Sequence, residues 1–257
     1  MKNLYTIPLI TIICALLITA CSKSDSSMGG AESSTGKGGS MARFCVSGDI
    51  LYVVDNNTLK TFGISDPKKP VFYENRTEYL NFGVETIFPM DTLLFIGSQI
   101  GMYIYDISKP QPQLLSSVWH ITSCDPVVAN GKYAYVTLNS NNIRCGVRSN
   151  MLQIYDISNL RNPECVKEIR LTSPLGLGID GNKLFICDRG LKVYDLTDPE
   201  SPQWMEDNYS ANVDVTNAYD VIPVDGLLIL VASNGIFQFD YTGQTLKFLS
   251  KIETVKQ

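Results

Sequence analysis

The chain has 257 residues, 44% apolar and 18% charged, with a formal net charge of -5 at pH 7, seven cysteines and one histidine. An acidic balance without a clustered Lys/Arg footprint sets aside a nucleic-acid partner, because phosphate binding needs that footprint. One imidazole cannot assemble the multi-histidine sites of catalytic zinc or facial-triad iron, so no metal or other cofactor is expected.

In chain order, Met1-Lys2-Asn3 is followed by an uncharged run of 17 residues, Leu4 to Ala20, with Pro8 inside it. That length lies near the lower bound for spanning about 30 Å of hydrocarbon, so the layout predicts a cleaved secretion signal over residues 1–20 rather than a retained span. Ile18, Thr19, Ala20 and Cys21 resemble the lipobox of bacterial lipoproteins: an aliphatic residue, two small ones, then the cysteine that is diacylated. The resemblance implies a mature chain that begins at lipidated Cys21 and is held at the cell envelope, on the outer membrane, by buried acyl methylenes at about 0.8 kcal/mol each. Residues 21–40 are small and polar, with too little apolar surface to offset ordering entropy, and are expected to form a flexible tether.

From residue 41 onward a pattern repeats: aliphatic, any, aliphatic, aromatic, Asp, aliphatic, Ser/Thr. It occurs as Met102–Ser108, Leu152–Ser158 and Leu191–Thr197, with looser copies at Leu59–Ser65, where Gly63 replaces Asp, and at Ile236–Thr242. The aromatics Phe62, Tyr105, Tyr155, Tyr194 and Phe239 are spaced by 43, 50, 39 and 45 residues, a propeller-blade period. Each unit holds four strand signals. In the fourth, strands are expected over 175–179, 183–187, 191–196 and 203–206, with Asp180-Gly181-Asn182 as a tight turn. Asn130-Gly131 and Asp225-Gly226 repeat that turn signal. The absence of a 3.6-residue period then predicts an all-β domain over 41–257: a five-bladed β-propeller of four-stranded antiparallel blades.

Leu191, Val193 and Asp195, with the Asp66-Pro67 and Asp198-Pro199 pairs that follow two of the units, resemble the LVIVD repeat of bacterial surface β-propellers. The resemblance spans all five units and implies fold and surface location, without one settled activity. Gly63 and Asp240-Tyr241 depart from the pattern, which leaves the closure of the ring open.

The recurring Asp106, Asp156, Asp195 and Asp240 precede Ser, Thr or Tyr at strand ends and are expected to accept local amide bonds as scaffold residues. Connections between blades, and between the second and third strands of a blade, share one face. On it lie the longest loops, including the 139–150 insertion, and this face is taken as the binding face. Aligning the units places Glu85, Asp125 and Asp220 at starts of innermost strands, around one channel mouth. They would bind a cationic group, act as a glycosidase acid/base pair, or simply bond neighbouring amides. Arg144 and Arg148, in the insertion, suit a carboxylate, sulfate or sugar, or merely solvent. His120 has no nucleophile motif to serve, and no catalytic residue is assigned.

Five cysteines remain after Cys14 and Cys21 are removed. Cys45, Cys165 and Cys187 occupy positions that are apolar in other units and are expected to be buried. Cys124 and Cys145 lie on the variable face as a candidate disulfide, closing a loop of about 20 residues at a contribution on the order of 3 kcal/mol. The sequence thus points to a membrane-anchored module that binds a protein or glycan partner, with a carbohydrate-active enzyme as the alternative.

Overall fold

The computed structural model describes residues 39–80, 83–119, 126–139, 150–205 and 213–254. They form five antiparallel sheets, each drawn from one continuous stretch of chain. Blade 1 contains β1 (Phe44–Ser47), β2 (Ile50–Asp55), β3 (Thr58–Gly63), β4 (Val71–Phe72) and β5 (Glu78–Tyr79). Blade 2 contains β6 (Val84–Met90), β7 (Leu93–Ser98), β8 (Gly101–Asp106) and β9 (Gln113–Trp119). Blade 3 contains β10 (Val127–Asn130), β11 (Tyr133–Leu138), β12 (Met151–Asp156) and β13 (Glu164–Arg170). Blade 4 contains β14 (Pro174–Asp180), β15 (Lys183–Asp188), β16 (Gly190–Asp195) and β17 (Gln203–Trp204). Blade 5 contains β18 (Ala218–Val224), β19 (Leu227–Ala232), β20 (Gly235–Asp240) and β21 (Lys247–Ile252). The architecture is the five-bladed β-propeller expected from the repeat. In blade 1 the outer strand is split: a 3-10 turn at Glu74–Arg76 separates β4 from β5, and both pair with β3.

The first hairpin of every blade turns through a residue of positive φ: Gly48, Asp91, Gly131, Gly181, and Asp225 with Gly226. Such backbone is what a two-residue hairpin requires to match strand twist, so the Asn-Gly and Asp-Gly signals carried real positional information. The carboxylates of Asp106, Asp156, Asp195 and Asp240 each accept the amide of the residue two places on, at 2.8, 2.7, 2.7 and 2.8 Å. These bonds turn the chain from the third strand toward the fourth, as a scaffold residue should. Gly63 stands at the same position in blade 1 because the Tyr73 ring lies over it; a Cβ there would sit 2.8 Å from Tyr73 Cζ.

Side chains interdigitate between consecutive blades in four buried clusters. Blade 1 meets blade 2 through Tyr52, Val54, Ile87 and Ile96. Blade 2 meets blade 3 through Phe95, Ile104 and Val136, and blade 3 meets blade 4 through Tyr135, Ile154 and Ile186. Blade 4 meets blade 5 through Phe185, Val193, Leu230 and Phe237. Burying each large side chain stabilises the fold by roughly 1.5–3 kcal/mol, so these clusters dominate cohesion. Gly176 and Gly178 let β14 approach β18 closely; Cβ atoms there would lie 2.8 Å from Tyr219 O and 2.9 Å from Val221 O. Cys45 and Cys187 are buried as expected, but Cys165 is exposed. Its register explains the difference: Cys165 pairs with Tyr155 on the outermost strand of its blade, where Phe72, Leu114, Trp204 and Phe248 hold the matching positions and are also exposed. The apolar pattern there marks the perimeter of the propeller, not its core.

Candidate functional site

The two described carboxylates of the proposed channel mouth are not equivalent. In β6 the register slips between Val84 and Thr86, which makes Glu85 the extra residue of a bulge. In β18 it slips between Ala218 and Asp220, so Tyr219 is the counterpart of Glu85, while Asp220 pairs with Val231. Glu85 accepts a bond from Gln99 Nε2 at 3.2 Å. Asp220 accepts the Val221 amide at 3.0 Å and the Ser40 hydroxyl at 3.3 Å, together with the Ser40 and Met41 amides. Burial outweighs those bonds and pushes the Asp220 carboxyl up to about 6.

Ser40, expected to end the tether, instead belongs to the folded body. It is 1% exposed, and its hydroxyl also accepts the Leu177 amide of blade 4 at 2.7 Å. Gly39 packs on the Asp220 carboxylate with no room for a side chain. Ala42 then reaches blade 2, where its carbonyl accepts the Ile87 amide at 3.0 Å. The segment 39–42 is therefore a strap that touches blades 2, 4 and 5. Asp125, Cys124, Cys145, Arg144, Arg148, His120 and Cys21 lie outside the described residues.

A cavity of about 610 Å³ lies at the opposite mouth, framed by the first-hairpin turns of blades 1 to 4. Its lining includes Gly48, Phe88, Asp91, Ile107, Asn130 and Asp180. Asn130 donates to the Gly181 carbonyl at 2.8 Å, tying the turns of blades 3 and 4, and Tyr241 donates to Asp180 at 2.7 Å. Sequence reasoning passed over this mouth because its turns are short and uniform in length.

It also passed over Asp188, at the end of β15. This buried carboxylate accepts the Thr172 amide at 3.0 Å and the Ser173 amide at 2.6 Å, and pairs with Lys192 Nζ at 2.7 Å. Burial raises its pKa, but the Lys192 and amide bonds win and hold it below the usual carboxylate value. Asp55 and Lys60 form the corresponding pair in blade 1, at 2.6 Å. An Asp that ends the second strand, with a Lys in the third, is the signal that would have found both. Asp188 pins the connection from blade 3 into blade 4, a structural task. Among the described residues no group of three or more His, Cys, Asp or Glu side chains is placed to hold a metal ion, and no helix is long and apolar enough to cross a membrane.

Comparison with known proteins adds the repeat itself. Residues 38–77 and 123–169 match the LVIVD repeat. The first match includes the unit in which Gly63 replaces Asp. No curated protein sequence matches the chain. Among solved structures, a functionally unknown protein from Desulfotomaculum acetoxidans DSM 771 is 12% identical with a TM-score of 0.63, over 86% of this chain and 69% of that one. Apo AztD from Citrobacter koseri is 12% identical with a TM-score of 0.59, over 78% and 59%. A chain of a nidogen/laminin complex is 12% identical with a TM-score of 0.56, over 80% and 76%. This chain spans less than two thirds of the length of AztD. At these identities the likeness extends to the fold alone.

Proposed function

We propose that this protein is a binding module, anchored at the bacterial cell envelope through a lipid on Cys21, that takes a protein or glycan partner on the variable face of its propeller. The observation that carries the reading is the repeat scaffold. Five blades follow one plan, four of them reversing the chain with the short Asx turn of the repeat aspartate, while length varies in the connections of a single face. In that position a loop can diversify without cost to the blade clusters. The apolar run ending at Ala20-Cys21 and the polar tract after it fit a lipid anchor followed by a spacer. Arg144 and Arg148, held by a Cys124–Cys145 bridge, would supply the forked cations for a carboxylate, sulfate or sugar. A chain of similar fold occurs in a nidogen/laminin complex, which fits an interaction role.

The carbohydrate-active alternative draws little support from the described carboxylates, since Asp220 is covered by the 39–42 strap and Glu85 is engaged by Gln99. A glycosidase needs two acids facing one sugar-sized cleft. The test is cross-linking in intact envelopes, comparing the parent with the Arg144→Ala/Arg148→Ala double variant and identifying what each retains. Loss of one specific partner from the double variant supports the reading. An identical set from both, or turnover of a glycoside that is abolished by Glu85→Gln, overturns it.

A further inference from the structure

At the mouth framed by the first-hairpin turns the blade plan stops repeating. Register places the last residues of the innermost strands, Ser47, Met90, Asn130, Asp180 and Val224, at one level. Positions that the fold dictates recur, as the aspartate ending the third strand does in four blades, whereas this level carries five different residues. One residue earlier stand Val46, Pro89, Ala129, Ile179 and Pro223, and Ala129 is the smallest of them, so room opens on blade 3. Every chain reversal on this face lies among the described residues. The cavity of about 610 Å³ found here has the size of a small-molecule site.

Its wall is apolar. Phe88, Met90, Ile107 and Ile179 pack on the buried clusters of adjacent blades and yet stay only half-buried, because their remaining surface borders the cavity. The charged side chains of the lining are both carboxylates, Asp91 and Asp180, and the lining holds no Lys, Arg or His. Lysines of the neighbouring turns are engaged elsewhere: Lys183 donates to the Tyr241 and Gly243 carbonyls at 2.6 and 2.7 Å, and Lys132 interacts with Asp156. Asp180 takes the Tyr241 hydroxyl at 2.7 Å. Asn130 gives its amide hydrogen to the Gly181 carbonyl at 2.8 Å, which leaves Asn130 Oδ1 as an acceptor. Among the described residues the Asp91 carboxylate accepts no hydrogen bond and joins no ion pair. A carboxylate without a counter-charge and a spare carbonyl, set beside an aromatic and aliphatic wall, match a ligand that brings N–H donors and positive charge on an apolar body. No group of three or more His, Cys, Asp or Glu converges among the described residues, so the complement is an organic cation rather than a metal ion.

We propose that this cavity binds a small organic ammonium ion, with Asp91 as its counter-charge, Asn130 Oδ1 as a second acceptor, and Phe88, Met90, Ile107 and Ile179 as the wall against its aromatic or aliphatic body. The Phe88 ring adds the electron-rich face that a cation favours. This mouth is opposite the variable face, so occupancy here does not depend on a partner there.

Blade 5 supplies a matched control. Asp225 occupies the turn position of Asp91, at φ +48° against +52°, but does not line the cavity. Asn tolerates that backbone as Asp does, so Asp91→Asn and Asp225→Asn remove the same charge with the same turn retained. The test is calorimetric titration of the full chain in detergent with phenethylamine, against protein-free micelles as the blank. Saturable binding of one phenethylamine per chain is expected, with 2-phenylethanol, ethylamine and phenylacetate each weaker by about ten-fold or more. Asp91→Asn should weaken phenethylamine by about ten-fold and Asp225→Asn by less than about two-fold, with the Tm of both close to the parent. Absence of saturable phenethylamine binding overturns the proposal. So does 2-phenylethanol or phenylacetate binding as tightly as the amine, or an equal loss from the two variants.

Discussion

Tyr155 and Cys165 sit opposite each other across β12 and β13, at a point where the register slips after Ile154. The same pairing recurs as Phe62 with Phe72, Tyr105 with Leu114, Tyr194 with Trp204 and Phe239 with Phe248, and two of these pairs are in ring contact at 5.0 and 5.9 Å. The inner member of each pair belongs to the repeat, and the outer one shields it at the rim.

Thiol reactivity should follow this geometry. Under native conditions a maleimide is expected to label Cys165, while Cys45, whose thiol burial pushes up to about 12, and fully buried Cys187 stay unmodified. After denaturation without reductant, a chain processed to and lipidated at Cys21 should take up three labels if Cys124 and Cys145 are bridged, and five if they are free. Intact-mass spectrometry reads both results, and native labelling of Cys187 would contradict the core as described.

Asp188 should matter more than its exposed neighbours suggest. Asp188→Ala removes the acceptor of two amides and the partner of Lys192, and is expected to lower unfolding free energy by about 2–3 kcal/mol. Asp55→Ala, in an exposed and solvent-screened pair, should cost far less. Equal losses in denaturant titrations would show that burial is not what separates the two sites.

Two classes of aspartate give opposite pH dependences. Asp220 is pushed up to about 6 in the folded protein, mainly by burial, so its stabilising contribution is complete below its unfolded value near 4 and is lost as pH rises through about 6. Asp106, Asp156, Asp195 and Asp240 are held below their ordinary value by bonds from the Ser or Thr two residues on, so their contribution is present above pH 4 and is lost on further acidification. Asp220→Asn should therefore remove the fall in Tm between about pH 4 and 6 and leave the acid limb in place. A parent with a flat Tm across that window would refute the burial of Asp220.

Anchoring is tested at Cys21. Cys21→Ala is expected to shift the protein from membrane to soluble fractions, or to leave it unprocessed, with the Tm of the propeller unchanged. Parent protein found wholly in the soluble fraction, starting after residue 21, would rule out the lipid.

Blade number and turn positions were legible because both are written locally. The aromatic-Asp-aliphatic-Ser/Thr pattern recurs at blade spacing, and Asn130-Gly131 and Asp225-Gly226 mark hairpins by the backbone they demand. Whether an apolar residue is covered is a different matter, set by what lies beyond its sheet. Cys165 shows this at the rim and Ile229 in blade 5: each has an interior-like identity and neither is fully buried. Asp220 is one position out of line with Glu85. Counted back from the hairpin turns, Tyr219 is level with Glu85 and Asp220 with Thr86, and the bulge falls at the same place in both strands. Ser40 looked like more of the Ser/Gly tract, and only the bond from Leu177 separates it from the tether.

Among the described residues no blade borrows a strand from another, so these sheets do not wait for the far terminus. Hydrogen-bonded partners are neighbours in sequence, the kind of low contact order that favours rapid formation of each unit in turn. A chain that emerges N-terminus first can therefore complete blade 1 while blade 5 is still unfolded, and then use each finished sheet as the template on which the next one settles. Among the described residues the strap at Ser40 must wait longer than its place in the sequence suggests, since its partners Leu177 and Asp220 arrive late. It acts as a late latch that reports, by closing, that the fourth and fifth blades are in place.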